Sequence, residues 1–297
     1  MVNTRISQAM LFADLACPID GLPLAVADGG ALRCATGHSF DRASAGYYNL
    51  LVVQHKASRD PGDSKAMVAA RRRFLDTGAY APIADRTIAM VRQAVASQAP
   101  GMRSRVVDAG CGEGYYLDAC AKAVNTMACA GNVQLAGIDI SKWAVHAAAK
   151  RNQSCFWAVA SNRHLPFARG SIDLLLSMFG FPLWDAFSAT QPLGGRVLLV
   201  DPAPDHLIEV RSIIYPAVKA TAASSLDAAQ RAGYLLECEQ RLRFGFMLAS
   251  PAGIADLLAM TPHGHRAPVA GRDALAKLDR LAVTGDVLFR LLRHKST

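Results

Sequence analysis

The sequence predicts an α/β fold, a parallel sheet covered on both faces and preceded by a small N-terminal module. Three observations carry this. From Arg103 onward, apolar runs such as "SRVVDAG" and "GRVLLVDPAP" alternate with amphipathic stretches such as "KWAVHAAAKR", the pattern of buried parallel strands joined by crossover helices. A glycine turn, "DAGCGEGYY", links the first strand of that series to its first helix. The first fifty residues ("CPIDGLP", "ADGGALRC", "ATGHSF") are turn-rich and too poor in apolar residues to fold unaided, which calls for a staple.

The elements follow in order. Residues 1–55 read as the small β-ribbon module, 56–100 as a helical linker and 101–297 as the cofactor-binding domain. In the linker "SRDPGDS" is a polar loop, and Asp63-Ser64 is placed to cap the helix "KAMVAARRRFLDTG". A second helix runs from Pro82 to Ala99. "SRVVDAG", "QLAGIDIS", "CFWAVAS", "SIDLLLSMF" and "GRVLLVDPAP" read as strands, "YYLDACAKAV" and "KWAVHAAAKR" as helices. "HLIEVRSIIYPAVKA" reads as a helix, and "GDVLFRLLRH" as the last strand.

Composition narrows the function classes. Hydrophobic residues make up 52% of the 297, which excludes wholesale disorder. No apolar run approaches the roughly 20 residues that cross a bilayer, so no membrane role is expected. The N-terminus, with one arginine and a weak apolar stretch but no clear small-residue cleavage site, reads as a poor signal peptide. Seven scattered cysteines do not form a disulfide framework, and the expected compartment is a reducing cytoplasm. With 32 Lys and Arg against 24 Asp and Glu, the net charge of +8 favours polyanionic partners, nucleic acid above all.

The glycine turn carries the strongest chemical signal. Asp108 ends the strand, and Gly110, Gly112 and Gly114 let the backbone turn sharply and approach a ligand. A dinucleotide fingerprint would need a small residue at Tyr115. The spacing and the preceding acid suit S-adenosyl-L-methionine, whose ammonium a carboxylate can receive. Asp139 ends the next strand, where an acid accepts ribose hydroxyls. After the third strand, Ser161 or Asn162 is placed for the adenine edge, with Leu165-Pro166-Phe167 as its wall.

In the N-terminal module Cys17 opens a metal-ligand pattern that Cys34 and His38 close as C-x₃-H. Asp20 stands where C-x-x-C would place its second thiolate. A carboxylate is a legitimate though weaker zinc ligand. An Asp before Gly21 also simply turns a chain. The metal expectation is zinc on Cys17, Asp20, Cys34 and His38. The remaining cysteines, Cys111, Cys120, Cys129, Cys155 and Cys238, read as core packing.

Several segments resemble one family, the 23S ribosomal RNA guanine-N1 methyltransferases. They are "GHSFDRASAGYYNLLVVQHKASRDPGDSKAMVAARRRFLDTGAYAPI", "DAGCGEGYY", "DPAPDHLIEVRSIIY" and "LLAMTPHGHRA", in the family's order. The resemblance implies a Rossmann-like class I methyltransferase domain with a zinc-ribbon-like module, S-adenosylmethionine as donor, 23S rRNA as partner and a homodimer. It also implies that Tyr80, Gly112, Glu113 and His206 line the cofactor. The chain departs from the family at Asp20 and in "MFGFPLWDAFSATQPLGG", a region that by the same resemblance is expected to border the substrate base.

Guanine N1 carries a proton and lies on the pairing edge, so the base must be unpaired and a base must take that proton. The candidates are Asp60, Asp63, Asp201, Asp205 and His206, and the residues alone do not choose among them. Lys56, Arg59, Arg71 and Arg72, with Arg73, are the candidate RNA contacts. Phe179, Phe181 and Trp184 are placed to stack a flipped base or to pack the core. The competing readings are a small-molecule methyltransferase, which needs no RNA-facing module, and a non-catalytic RNA-binding scaffold.

Overall fold

The structure, a computed structural model, describes residues 12–55, 60–97, 102–127, 132–218 and 224–295. The N-terminal module contains three two-residue strands, β1 (Ala25–Val26), β2 (Leu32–Arg33) and β3 (Ser39–Phe40), paired antiparallel in that order. Ladders this short contribute few bonds, so the module must be held from outside them. A fourth short strand, β4 (Tyr48–Asn49), leaves the ribbon for the main sheet.

Two helices follow. α1 spans Lys65–Asp76, and the Ser64 hydroxyl caps it by accepting from the Met67 N–H at 3.3 Å. Asp63 takes no part in the cap. α2 spans Ala81–Ala96, with Pro82 in its first turn.

The remaining elements are β5 (Ser104–Ala109), α3 (Tyr115–Val124), β6 (Val133–Asp139), α4 (Lys142–Arg151), β7 (Phe156–Val159), β8 (Leu174–Met178), α5 (Trp184–Thr190), β9 (Arg196–Pro202), α6 (Ile208–Ile214), α7 (Asp227–Arg231), β10 (Tyr234–Leu248), α8 (Pro251–Met260), α9 (His263–Arg266), α10 (Val269–Ala276) and β11 (Leu281–His294). The eight-stranded sheet has the order β10-β11-β9-β8-β5-β6-β7-β4. Its β4 to β9 part is parallel, as the apolar runs predict.

Two expectations need correction. The sheet is not wholly parallel, because β11 runs antiparallel to β9, and β10 antiparallel to β11 with one register shift between Leu236 and Cys238. The sequence reading left β10 out. Its alternation through "EQRLRFGF" is the period-two signal of a half-exposed strand, masked by its charged residues. The helix expected over 206–220 closes at Ile214, and Tyr215 is extended in front of Pro216, as the residue before a proline tends to be.

The two sheet faces are covered differently. Phe74, Ile83, Val91, Leu117, Val145 and Leu257, from α1–α4 and α8, with Tyr80 before α2, pack one face. On the other face no helix joins β7 to β8 among the described residues, and the N-terminal module fills the gap. Phe12, Leu15, Leu32, Tyr48 and Leu50 share a core there with Ile138, Phe156 and Phe167. Tyr48 stacks on Phe156 at 5.6 Å, Phe12 lies 5.1 Å from Phe167, and Ala16 N–H donates to the Pro166 carbonyl at 2.9 Å. Each such side chain contributes roughly 1.5–3 kcal/mol of apolar burial, so the module and the sheet domain stabilise each other. The packing also corrects Phe167, which is a core residue beneath Phe12 rather than an adenine wall.

Candidate functional site

The cleft opens at the carboxyl ends of β5, β6 and β8, where strand order reverses and open α/β sheets bind their ligands. All three loop glycines take the left-handed backbone, with φ of 92° at Gly110, 55° at Gly112 and 84° at Gly114. At Gly114 a Cβ would also come within 2.8 Å of the Trp157 ring and 2.9 Å of Ala148 Cβ, so the start of α3 tolerates only glycine. Gly110 and Cys111 N–H both donate to the Ile138 carbonyl at 2.9 Å, which ties the loop to the end of β6.

Asp139 completes that tie. Its carboxylate accepts from the Gly112 N–H at 2.9 Å and the Ser141 N–H at 2.8 Å, yet the residue keeps partial exposure toward the cleft. Asp108, 0% exposed, has no hydrogen-bond partner on either oxygen. Burial, aided by the nearby Asp139 charge, pushes its carboxyl up to about 8. Glu113 takes a two-pronged contact from Arg151, at 2.8 and 2.7 Å, and its other oxygen is unpaired. Burial lifts Glu113 to about 7, with Arg151 opposing. Arg151 also reaches Asp76 at 2.7 Å, so α4, α3 and α1 are clamped around the loop.

An aromatic group faces these acids. The Tyr80 hydroxyl lies 3.2 Å from His206 Nε2, and Phe179 stacks on the His206 ring at 5.8 Å. His206 Nδ1 accepts from the Asp286 N–H at 3.2 Å, and burial depresses its pKa to about 4. The imidazole is therefore neutral, and its hydrogen bonds assign the proton to Nε2. With Nδ1 occupied and Nε2 protonated, His206 has no free lone pair for a proton from substrate.

A cleft with an orphaned buried carboxylate, a half-open carboxylate one strand away and an aromatic wall suits a ligand bearing an ammonium and a ribose. The donor chemistry of S-adenosylmethionine fits it. Ser161 accepts from the Arg163 N–H at 3.2 Å, whereas the Asn162 amide approaches Gly110, 3.6 Å from where a Cβ would sit.

The base candidates separate by location. Asp60 is exposed and accepts from Trp143 Nε1 at 3.0 Å, with Lys142 at 3.8 Å. Asp201 neighbours Val200 on β9 but faces the other way, buried against Arg290 at 3.8 Å and held above the usual carboxylate range by that burial. The structure does not bring it to the cleft. Asp205 lies 3.5 Å from both Arg241 and Arg243. Asp63 is on the cleft side: its carboxylate pairs with Arg71 and its carbonyl accepts from Ser141 Oγ at 2.6 Å.

Of the RNA candidates, Lys56 and Arg59 lie outside the described residues, as does Cys129. Arg71 sits over the glycine loop, 3.5 Å from a Cβ position on Gly112, and donates to the Met260 carbonyl at 3.1 Å. Arg72 pairs with Asp76 at 3.6 Å, and Arg73 with Asp256. Arg71 is thus a cleft residue, a placement the helical spacing does not reveal. Sequence reasoning also missed Arg151, the clamp on Glu113, and the Lys65 and Lys142 ammoniums 5.7 and 4.8 Å from the Trp143 ring. These are contacts between distant segments or exposed side chains and leave no motif.

In the module, the ligand atoms of Cys17, Asp20, Cys34 and His38 all lie within 4.8 Å of one another. His38 Nδ1 is 3.6 Å from Cys17 Sγ, 3.4 Å from Cys34 Sγ and 3.0 Å from Asp20 Oδ2. Edges of roughly 3.2–3.8 Å follow from tetrahedral zinc with these ligand types. The two Cys–His separations fall in that range and the Asp20–His38 separation lies just below it, so the chemistry of the donor set suits that ion. Asp20 does both things its sequence context suggests: Oδ1 accepts from the Leu22 N–H at 3.0 Å and shapes the turn, and Oδ2 points into the cluster. The Thr36 hydroxyl, unforeseen in sequence, hydrogen-bonds Oδ2 and lies 3.0 Å from Cys34 Sγ.

Comparison with known proteins covers both regions. The family model described as RlmA, N-terminal, a zinc ribbon, matches residues 15–59, and that of a methyltransferase domain matches residues 106–193. A Micromonospora griseorubida protein named as a candidate 23S rRNA (guanine-N(1)-)-methyltransferase is 36% identical over 215 residues, 67% of this chain and 69% of that protein. The 23S rRNA (guanine(748)-N(1))-methyltransferase of Streptomyces fradiae is 36% identical over 197 residues, 66% of each chain. YxjB of Bacillus subtilis (strain 168), named as a candidate for the guanine-N(1) activity, is 29% identical over 282 residues, 93% of this chain and 95% of that one. The likeness runs through the cysteine-bearing module and the cofactor cleft together, and the chain belongs to the 23S rRNA (guanine-N1)-methyltransferase family.

Proposed function

We propose that this protein methylates N1 of a guanine in 23S rRNA, with S-adenosyl-L-methionine as donor. The observation that carries the reading is the N-terminal module packed across one face of the catalytic sheet, where a crossover helix is missing. A small-molecule methyltransferase needs the cleft but no such module, and the intact cleft opposes a purely scaffolding role. The relatives' names supply the substrate class.

The bound donor supplies an electrophilic methyl on a sulfonium for in-line transfer. Asp108 would receive its ammonium, and Asp139 its ribose hydroxyls while holding the loop through Gly112. Gly110 and Gly112 give the close backbone approach, with Ser161 and Asn162 at the adenine side. Tyr80, Phe179 and the neutral His206 wall the cleft, and Arg151 keeps Glu113 in place at the start of α3. Alignment of this kind accounts for much of the rate in a displacement.

The guanine proton needs an acceptor, and we assign it to Asp63, the acidic candidate on the cleft side. Asp63→Asn is expected to lower kcat by about 100-fold or more with cofactor affinity unchanged. An unaltered kcat, or a loss of cofactor affinity alone, removes Asp63 from that role. Zinc on Cys17, Asp20, Cys34 and His38 would staple the module. The cytoplasm is the compartment we propose, and a homodimer is the assembly the family resemblance implies.

The decisive assay incubates the purified protein with labelled S-adenosylmethionine and unmodified 23S rRNA, then maps reverse-transcription stops, since an N1 methyl blocks pairing. One strong stop at an unpaired guanine is expected. Cofactor binding without a stop in any 23S preparation would reject the rRNA assignment.

A further inference from the structure

The sequence leaves three aromatic residues after β8 undifferentiated, and the structure separates them. Trp184 is buried in the core, 5.2 Å from Tyr234 and 6.0 Å from Phe187. Phe179 adopts φ of 54°, a conformation that bulky side chains rarely take, and this turns its ring into the stack with His206 and Tyr80. Phe181 is 87% exposed, the most exposed of the large apolar side chains among the described residues.

Its position is specific. A Cβ on the neighbouring Gly180 would lie 3.9 Å from the carbonyl oxygen of Ala109, the last residue of β5 before the glycine loop. Phe181 therefore stands at the mouth of the cofactor cleft, at the switch point between β5 and β8. Pro182 follows it and biases its backbone toward extended conformations, and the side chain is left to solvent rather than to the core. Gly180, which precedes it, adds no side chain that would crowd an incoming ring.

We propose that Phe181 is the platform on which the target guanine stacks once it has left its own stack. A purine bound for methylation at N1 must expose its pairing edge to the donor, which leaves its faces to be held, and an exposed aromatic ring at the cleft mouth supplies that contact. The inference rests on the reading that the substrate is an RNA guanine, and it makes Phe181 a substrate-positioning residue that touches the base.

The test compares wild type, Phe181→Ala and Phe181→Trp on a 23S rRNA transcript with labelled S-adenosylmethionine. Phe181→Ala is expected to lower kcat/KM for RNA by roughly 5- to 150-fold, the range of one lost base–aromatic stack. Its cofactor affinity and melting temperature should match wild type, because the side chain is 87% exposed and buries little apolar area. Phe181→Trp should retain most activity, and its fluorescence should change on adding transcript but much less on adding transcript with an abasic site at the mapped guanine, because any base, not guanine alone, can stack on an aromatic face. Active wild type with an equally active Phe181→Ala overturns the inference and leaves the rRNA assignment standing. A wild type that modifies no RNA overturns both.

Discussion

Asp108→Asn is expected to weaken S-adenosylmethionine binding by about 10- to 150-fold, the range for losing one hydrogen bond to a charged group, while stabilising the empty protein at alkaline pH. Both effects come from one fact, a fully buried carboxyl without a partner in the absence of ligand. Its pKa lies near 8 in the fold against about 3.9 in an unfolded chain. The folded state therefore holds this proton more tightly than the unfolded one. The corresponding stability is fully present below about pH 4 and is lost as pH rises to about 8. Asparagine has nothing to titrate, so the variant should gain on wild type across that window, by several kcal/mol at most. Glu113, near 7, shifts in the same direction and leaves a residual slope in the variant. Melting curves from pH 5 to 8.5, with calorimetric titration of the cofactor, check both halves. Parallel pH profiles for the two proteins, or undiminished cofactor affinity, would falsify the assignment of Asp108.

Removing metal from the N-terminal module is expected to reach the catalytic domain. Structural zinc contributes on the order of 10–16 kcal/mol of apparent binding energy in small modules, and here the module supplies Phe12, Leu15, Leu32 and Tyr48 to the core beneath β6 and β7. The purified protein should carry one zinc per chain. A strong chelator should lower the melting temperature of the whole protein and weaken cofactor binding as well as RNA methylation. Asp20→Cys should retain zinc against more chelator than wild type, since a thiolate is the preferred structural ligand. Cys34→Ser should lose it. A protein that purifies without zinc and melts identically with chelator would reduce the cluster to a hydrogen-bonded turn built by Asp20, Thr36 and His38.

The two sites differ in how much of each is written in the sequence. The turn at Asp108 to Gly114 was legible because its chemistry is local: glycines at fixed offsets, an acid before them, a helix after. The spans Tyr115–Val124 and Lys142–Arg151 are α3 and α4 in the structure as they are in the pattern, because 3.6-residue periodicity belongs to neighbours along the chain. The Cys17, Asp20, Cys34 and His38 spacing was legible for the same reason. Asp201 was not, since one step of strand parity decides which face of the sheet it meets, and only the packed sheet reveals that Arg290 waits there. Nor was β10 read, because its register comes from β11, which begins only at Leu281, well after β10 ends at Leu248.

By itself, the sequence determined the alternating strands and helices, the glycine turn with its two acids, and the grouping of Cys17, Asp20, Cys34 and His38. These depend on side-chain period and turn chemistry over a few residues. The tertiary structure alone decided that the N-terminal module replaces a crossover helix and that Arg71 lies in the cleft rather than on an outer surface. It also decided that Asp108 is buried and protonated near neutrality, and that Phe181, of three aromatic candidates, is the free one. Burial, face and pKa are set by whichever distant segments pack against a residue, and that packing is a property of the folded chain rather than of any short stretch of it.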